Sequence, residues 1–217
     1  FRLWWIPVGD DPSRGAYVRS HTAELLEIVA LESHRAGAVV IGEDLGTVPS
    51  GVRRELRRRR LLSTRLALFE RGLPATYPRH SFAAVTTHDL PTMAGLWSGS
   101  DLADQVASGI TPDPDALARL RLRLARAAGV GADGDAPPID QLHRRVAASP
   151  SMLVAATLED ALREGERPNM PGTVAPQRDN WSLALPSPIG DLDGDSHVRA
   201  LVRSCRRPPV DRAVEGV

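Results

Sequence analysis

Two acidic residues stand where short apolar runs end. Glu43 follows Ala38-Val39-Val40-Ile41-Gly42 in a Gly-Glu-Asp-Leu-Gly context, and Asp89 follows Phe82-Ala83-Ala84-Val85-Thr86-Thr87 in Thr-His-Asp-Leu-Pro-Thr. If both runs are strands of one sheet, the two carboxyls project into one cleft. Paired carboxyls suit glycosidic-bond chemistry: one donates a proton to the leaving oxygen while another stays ionised beside an oxocarbenium-like centre, and separate environments push their pKa values apart. Helix capping is the competing account. Glu43 and Asp44 precede a helix expected from about Pro49, and Asp89 precedes one expected from about Pro91. Such side chains commonly accept from the first N–H groups of a helix. By spacing alone, capping is the simpler of the two.

The elements that must carry these residues are legible as apolar runs of different period. Besides the two runs above, Arg65-Leu66-Ala67-Leu68-Phe69 ends on Glu70, and Met152-Leu153-Val154-Ala155-Ala156 leads to Glu159-Asp160, so strands are predicted at 38–43, 65–69, 82–87 and 152–158. Continuous apolar runs of this length fit strands buried on both faces of a parallel sheet. Helices are predicted over Thr22–Arg35, with Leu25, Leu26, Ile28, Val29 and Leu31 at helical spacing and Gly37 as a stop, and over 48–60, 92–105 and 115–128. The last carries a stripe of Leu117, Leu120 and Leu124 before Gly129; a weaker helix is expected near Ser196–Ser204, and a loop over Gly129–Pro138. Alternating strands and helices imply an α/β fold. Polar residues at strand C-termini are where a (β/α)8 barrel places its chemistry, and such a barrel needs eight strands in about 250 residues. Four strand candidates therefore amount to half of one, with a helical segment inserted before the last strand.

Composition narrows the partners. Of the 217 residues 42% are hydrophobic and 25% charged, as in a packed domain. The 27 basic and 27 acidic residues balance, so nothing marks a nucleic acid or an anionic membrane as a partner. Every basic residue is Arg, which reads as genomic base-composition bias. The single cysteine, Cys205, excludes an internal disulfide, and neither a leader nor a long apolar run is present, so a cytoplasmic setting is expected. His21, His34, His80, His143 and His197 are scattered on polar faces without ligand spacing, so no metal site is expected. The arginines at 53, 54 and 57–60 read as a solvated helix face. Trp4, Trp5, Trp97 and Trp181 offer flat apolar faces either to sugar rings or to a core, with core packing expected for Trp97.

Longer blocks share one order: Arg2-Leu3-Trp4-Trp5-Ile6-Pro7, Gly15-Ala16-Tyr17-Val18, Leu31-Glu32-Ser33, Ile41 through Pro49, Thr87 through Thr92, and Pro168-Asn169-Met170-Pro171-Gly172-Thr173 with Asn180-Trp181. In these blocks the sequence resembles the amylomaltase, or 4-α-glucanotransferase, family (glycoside hydrolase family 77) along nearly its whole length. The resemblance implies the C-terminal half of a catalytic barrel in which Glu43 is the general acid/base. It implies that Asp89 stabilises the transition state and that His88 holds substrate hydroxyls. Asn169 and Gly172 would belong to a loop near the acceptor side of the cleft, against the alternative of a tight turn, with Trp4 and Trp5 as further substrate-binding candidates. The implied reaction needs no cofactor: a segment of an α-1,4-glucan passes to the 4-hydroxyl of glucose or a maltooligosaccharide by retaining double displacement. The family's nucleophilic Asp lies in an Arg-Ile-Asp-His motif shortly before the Phe-Arg-Leu-Trp-Trp block. No such string occurs in these 217 residues, and Asp10 and Asp11 lie in a Gly-Asp-Asp-Pro turn. The expectation is a fragment without its N-terminal half, inactive alone. The alternatives are a non-catalytic glucan-binding remnant, and a related α-glucan hydrolase or branching enzyme.

Overall fold

Arg2–Trp5 (β1) and Ala16–Arg19 (β2) form an antiparallel hairpin that the four strand runs predicted from the sequence do not include. Its register puts Trp4 opposite Tyr17, the two rings meet edge-on at 4.7 Å, and the Arg2 guanidinium lies 3.6 Å over the Tyr17 ring. Cross-strand aromatic and cationic pairs of this kind hold a hairpin that has no second sheet face to bury. Asp11 accepts from the Ser13 N–H at 2.9 Å and so caps the single turn Pro12–Arg14 between the strands.

The computed structural model describes residues 1–131 and 134–207. Two compact units divide the chain, the first comprising Phe1–Thr64 with His80–Phe82 and the second Arg65–Arg79 with the residues from Ala83 onward. In the first unit, helix α1 (Thr22–Ala36) ends on Gly37 in the left-handed conformation, as the sequence predicts. Its apolar pattern behaves otherwise. Leu26 packs against the small core of Val52, Leu56 and Leu61, while Leu25, Ile28, Val29 and Leu31 stay exposed. Helix α2 (Val52–Arg58) is shorter than the predicted 48–60, starting after Gly51 at φ 91. It lies so close to β3 (Ile41–Gly42) that a Cβ on Gly42 would come within 2.9 Å of Leu56 Cδ1.

Strand β4 (Leu62–Leu66) begins three positions before the predicted 65–69 run, because Ser63 and Thr64 hide its start from a hydropathy reading. All five of its residues are buried. The polar ones are tolerated because they are bonded: Thr64 Oγ1 donates to the Gly42 oxygen at 3.0 Å, and Arg65 Nε lies 3.6 Å from Glu70 Oε1. Strand β3 pairs parallel with β4 through Ile41 and Leu62. Strands β5 (Ser81–Ala84) and β6 (Leu153–Val154) complete a sheet in chain order β3-β4-β5-β6. In the second unit the Ala67 and Leu68 N–H groups donate to the Ala84 and Val85 oxygens, and the Ala155 N–H to Ala83.

Between β5 and β6 lies the expected helical insertion. Helix α3 (Met93–Ser98) and helix α4 (Ser100–Ala107) replace one predicted helix, the break falling at Gly99 with φ 83. Helix α5 (Pro114–Ala128), capped by Asp113, and helix α6 (Ile139–Ala147) follow; the expected loop between them includes residues 132 and 133, which lie outside the described set. After β6 come helix α7 (Leu158–Leu162) and helix α8 (Ser196–Ser204). The core of this unit gathers Val85, Met93, Leu96, Leu124, Leu142, Val146 and Leu201, with Trp97 among them as expected. Gly95 is required at its position, since a Cβ there would run into the main-chain oxygen of Gly165.

His143 is not on a polar face. It is buried in α6, with Nε2 2.9 Å from Asp160 Oδ2, and Asp160 Oδ1 accepts from the Met93 N–H at 3.0 Å. Burial works against its charge, but Asp160 and the Cys205 sulphur outweigh that and raise the His143 pKa to about 9. Its other ring nitrogen, Nδ1, is buried without a hydrogen-bond partner among the described residues.

Two outcomes follow for stability. Gly95→Ala should lower the unfolding free energy by about 1–3 kcal/mol, as overpacking against fixed backbone does, read by denaturant titration. His143 is more basic folded than unfolded, so its contribution is full below its ordinary pKa of 6.5 and lost as pH rises through about 9. The thermal midpoint should therefore fall across that interval, and His143→Gln should be less stable at low pH and flatter across it.

Candidate active site

The turn after β5 that carries His88 and Asp89 is tied at both ends. Thr86 Oγ1 donates to the Pro91 oxygen at 2.9 Å and the Leu90 N–H donates to the Thr87 oxygen. Thr92 then caps α3 by accepting from the Gly95 N–H at 2.9 Å while its hydroxyl donates to the Glu164 oxygen at 2.7 Å. The helix cap is therefore Thr92 and not Asp89, which removes the capping account of Asp89.

Asp89 is free to face outward. Its side chain keeps 39% of its surface, and its Oδ1 accepts from Asn169 Nδ2 at 2.7 Å with His88 Nε2 at 3.2 Å. The Asn169 N–H donates to the His88 oxygen at 3.1 Å, so the two segments are joined through main chain as well. Trp181 closes the group: its N–H donates to the Pro168 oxygen, and its ring, 63% exposed, stands 4.9 Å from the His88 ring. Asn169, residues 173–175 and residues 178–182, including Trp181, line an open hollow of about 600 Å³. A carboxylate, an imidazole, an amide and an exposed indole around one turn supply a charge, hydrogen-bond partners for hydroxyls and a flat apolar face.

The loop from Arg167 to Trp181 is itself well held. Asn180 Oδ1 accepts from the Met170 N–H at 3.0 Å, and Asn180 Nδ2 donates to the Thr173 oxygen at 3.0 Å. Gly172 has φ 88 and follows Pro171 in a turn closed by the Thr173 N–H on the Met170 oxygen. Proline followed by a positive-φ glycine is the type II pattern, so Gly172 serves the loop's shape. Two arginines with no signal of their own in the sequence anchor the loop to α4: Arg167 to Asp101 and Arg178 to Asp104, the latter at 3.0 Å. Only Asp101 and Asp104, three apart on a helix, hint at this pairing in sequence.

In the first unit Glu43 and Asp44 part ways. Asp44 is buried, accepting from the Thr64 N–H at 2.7 Å and from Arg53 Nε at 2.6 Å. It braces a strand and does not cap α2, whose N-cap Gly51 has no side-chain bond. Arg53 is thus an ion-pair partner, and Arg59, mostly buried, joins Glu55 and Glu27; neither belongs to a merely solvated face. Glu43 is exposed and makes no hydrogen bond or ion pair among the described residues. Trp4 is half-exposed and donates from Nε1 to the Pro12 oxygen at 3.2 Å, whereas Trp5 is exposed. Among the described residues no group of His, Cys, Asp and Glu is arranged to hold a metal ion, and no helix is long and apolar enough to cross a membrane.

A family profile described as 4-alpha-glucanotransferase matches residues 1–188, spanning every residue named in both groups. The chain belongs to the 4-alpha-glucanotransferase family. It is 39% identical over 212 residues to the 4-alpha-glucanotransferase of Mycobacterium tuberculosis, a match covering 88% of this chain and 29% of that protein. With the Haemophilus influenzae 4-alpha-glucanotransferase the identity is 33% over 214 residues, covering 87% and 30%. The chain thus spans about three-tenths of the length of these relatives. The crystal structure of amylomaltase from Corynebacterium glutamicum superposes with a TM-score of 0.84 at 29% identity, covering 96% of this chain and 34% of that one. The α/β class and the partial-barrel expectation hold with this family fold, the four-stranded sheet standing against the eight strands of a full barrel.

Neighbouring carboxyls with opposite surroundings give a sharp expectation. Asp44→Ala strands the Thr64 N–H and should cost about 1–3 kcal/mol, whereas Glu43→Ala should stay within about 0.5 kcal/mol of the parent, both read by thermal or denaturant unfolding.

Proposed function

We propose that the complete protein is a 4-α-glucanotransferase that cleaves an α-1,4-glucan, holds the donor segment covalently and passes it to the 4-hydroxyl of glucose or a maltooligosaccharide in the cytoplasm. The observation that carries this reading is the outward carboxylate of Asp89. Asp44, Asp101 and Asp160 are turned inward and buried, while Asp89 keeps 39% of its side-chain surface yet is oriented by Asn169 and His88. Membership of the family supports the roles. Glu43, exposed and unpaired, is the general acid/base; Asp89 opposes the developing positive charge of the oxocarbenium-like transition state; His88 and Asn169 meet substrate hydroxyls; and Trp181, with Trp4 and Trp5, offers an apolar face to a pyranose ring.

Double displacement also needs a carboxylate nucleophile roughly 5 to 5.5 Å from the acid/base, and no Arg-Ile-Asp-His string lies within these 217 residues. The 217 residues alone are therefore inactive, and conversion of maltotriose into shorter and longer maltooligosaccharides by the purified chain would overturn this. In the complete gene product, Glu43→Gln should lower kcat for that conversion by about 10²–10⁴-fold, and Asp89→Asn by at least about 10²-fold. Full transfer activity in either variant would remove that residue from the chemistry. Glucan binding by the complete protein without turnover would point instead to the non-catalytic reading, and release to water or to a 6-hydroxyl to a hydrolase or branching enzyme.

A further inference from the structure

Arg167 lies buried between α4 and the turn that carries Asp89. Its Nη1 donates to the main-chain oxygen of Asp89 at 3.0 Å. On its other side Nη2 donates to Asp101 Oδ2 at 3.1 Å, and Nε lies 2.9 Å from Asp101 Oδ1 but off the line of its N–H. Asp101 is 3% exposed and also accepts from Gln105 Nε2 at 2.7 Å. One turn along α4, Asp104 holds Arg178, which donates to the main-chain oxygen of Arg167 at 2.6 Å and to Asn180 Oδ1 at 2.7 Å. Helix α4 is thus a platform from which two arginines reach both segments that meet at the Asp89 carboxylate.

Burying a guanidinium and a carboxylate together is weak evidence of stabilisation, because desolvation offsets their attraction. Geometry is what this pair supplies. Only a forked, permanently charged side chain can face one carboxylate with two nitrogens and still donate to a carbonyl elsewhere, a set of bonds that a lysine ammonium on a flexible stem does not reproduce. We propose that Arg167, clamped by Asp101, is a positioning residue that fixes the main chain of Asp89, so that the carboxylate oriented by Asn169 stays in register with the reacting sugar. This rests on the reading of Asp89 as transition-state stabiliser.

The test is steady-state maltotriose disproportionation by the complete gene product, comparing Arg167→Met, Arg167→Lys, Asp101→Asn, Asp89→Asn and the Arg167→Met/Asp89→Asn double variant. Displacement of a reacting group by about 1 Å costs up to about 10²-fold, so Arg167→Met should lower kcat by about 10–100-fold. Its KM should move less than about threefold, because the loss falls on the transition state. Asp101→Asn and Arg167→Lys should fall in between, and Arg167→Lys carries the test if the Met variant does not fold. Since Arg167 acts through Asp89, adding Arg167→Met to Asp89→Asn should cost no more than about twofold further. Retained kcat in folded Arg167→Lys and Arg167→Met, alongside an inactive Asp89→Asn, overturns the positioning role alone. A further tenfold loss in the double variant, about the full single effect, overturns it too. Retained kcat in Asp89→Asn overturns the underlying reading and the positioning role with it.

Discussion

A carboxylate taken out of water must be met by donors the protein itself supplies, and in the second unit Asp160 is met by two from different helices. One oxygen accepts from the Met93 N–H at the start of α3, and the other faces His143 of α6. Asp160 lies in α7, so a single side chain fixes where three helices stand. The start of α3 is also the end of the turn that carries His88 and Asp89. An error in the placement of Asp160 would therefore be passed directly to the exposed carboxylate. The arrangement cannot relax by admitting water, because Asp160 and His143 have essentially no accessible surface.

The same logic separates the acids that hold the fold from those that face solvent. Asp44, Asp101 and Asp160 each accept from a donor fixed by a strand or helix, Gln105 of α4 in the case of Asp101, and each is buried. Glu43 and Asp89 are adjacent in sequence to such fixed points, Asp44 in one case and the Thr87–Thr92 turn in the other. Each borrows its neighbour's rigidity while keeping its own carboxyl toward solvent. A residue oriented by a braced main chain loses little freedom when it meets a ligand, which is what makes a preorganised site effective.

Some of this was legible in the sequence. The order of strand and helix, the helical insertion, the stops at Gly37 and Gly129 and the core position of Trp97 follow from periodicity and turn chemistry, which act within a few residues. The ordered blocks around Glu43, Asp89 and Asn169 carried the family resemblance, and the family profile confirmed it. Local pattern misled where a side chain's partner lies far along the chain. Strand β4 was misplaced because Ser63 and Thr64 look like loop residues until their bonds to His80 and to Gly42 and Asp44 are seen. Likewise His143 and Arg59 look like surface residues until Asp160, Glu55 and Glu27 are placed beside them.

The sequence alone determined the chain's class and its family, because these depend on residue types in fixed local order. Only the tertiary structure decided which acids are braces and which face outward. Burial is set by contacts between residues distant in sequence: Arg167 with Asp89 at a separation of 78 residues, and Asn169 with Asp89 at 80. By spacing alone capping is the simpler account of Asp89; the hydroxyl of Thr92, which occupies the cap, removes that account and leaves the carboxylate facing outward.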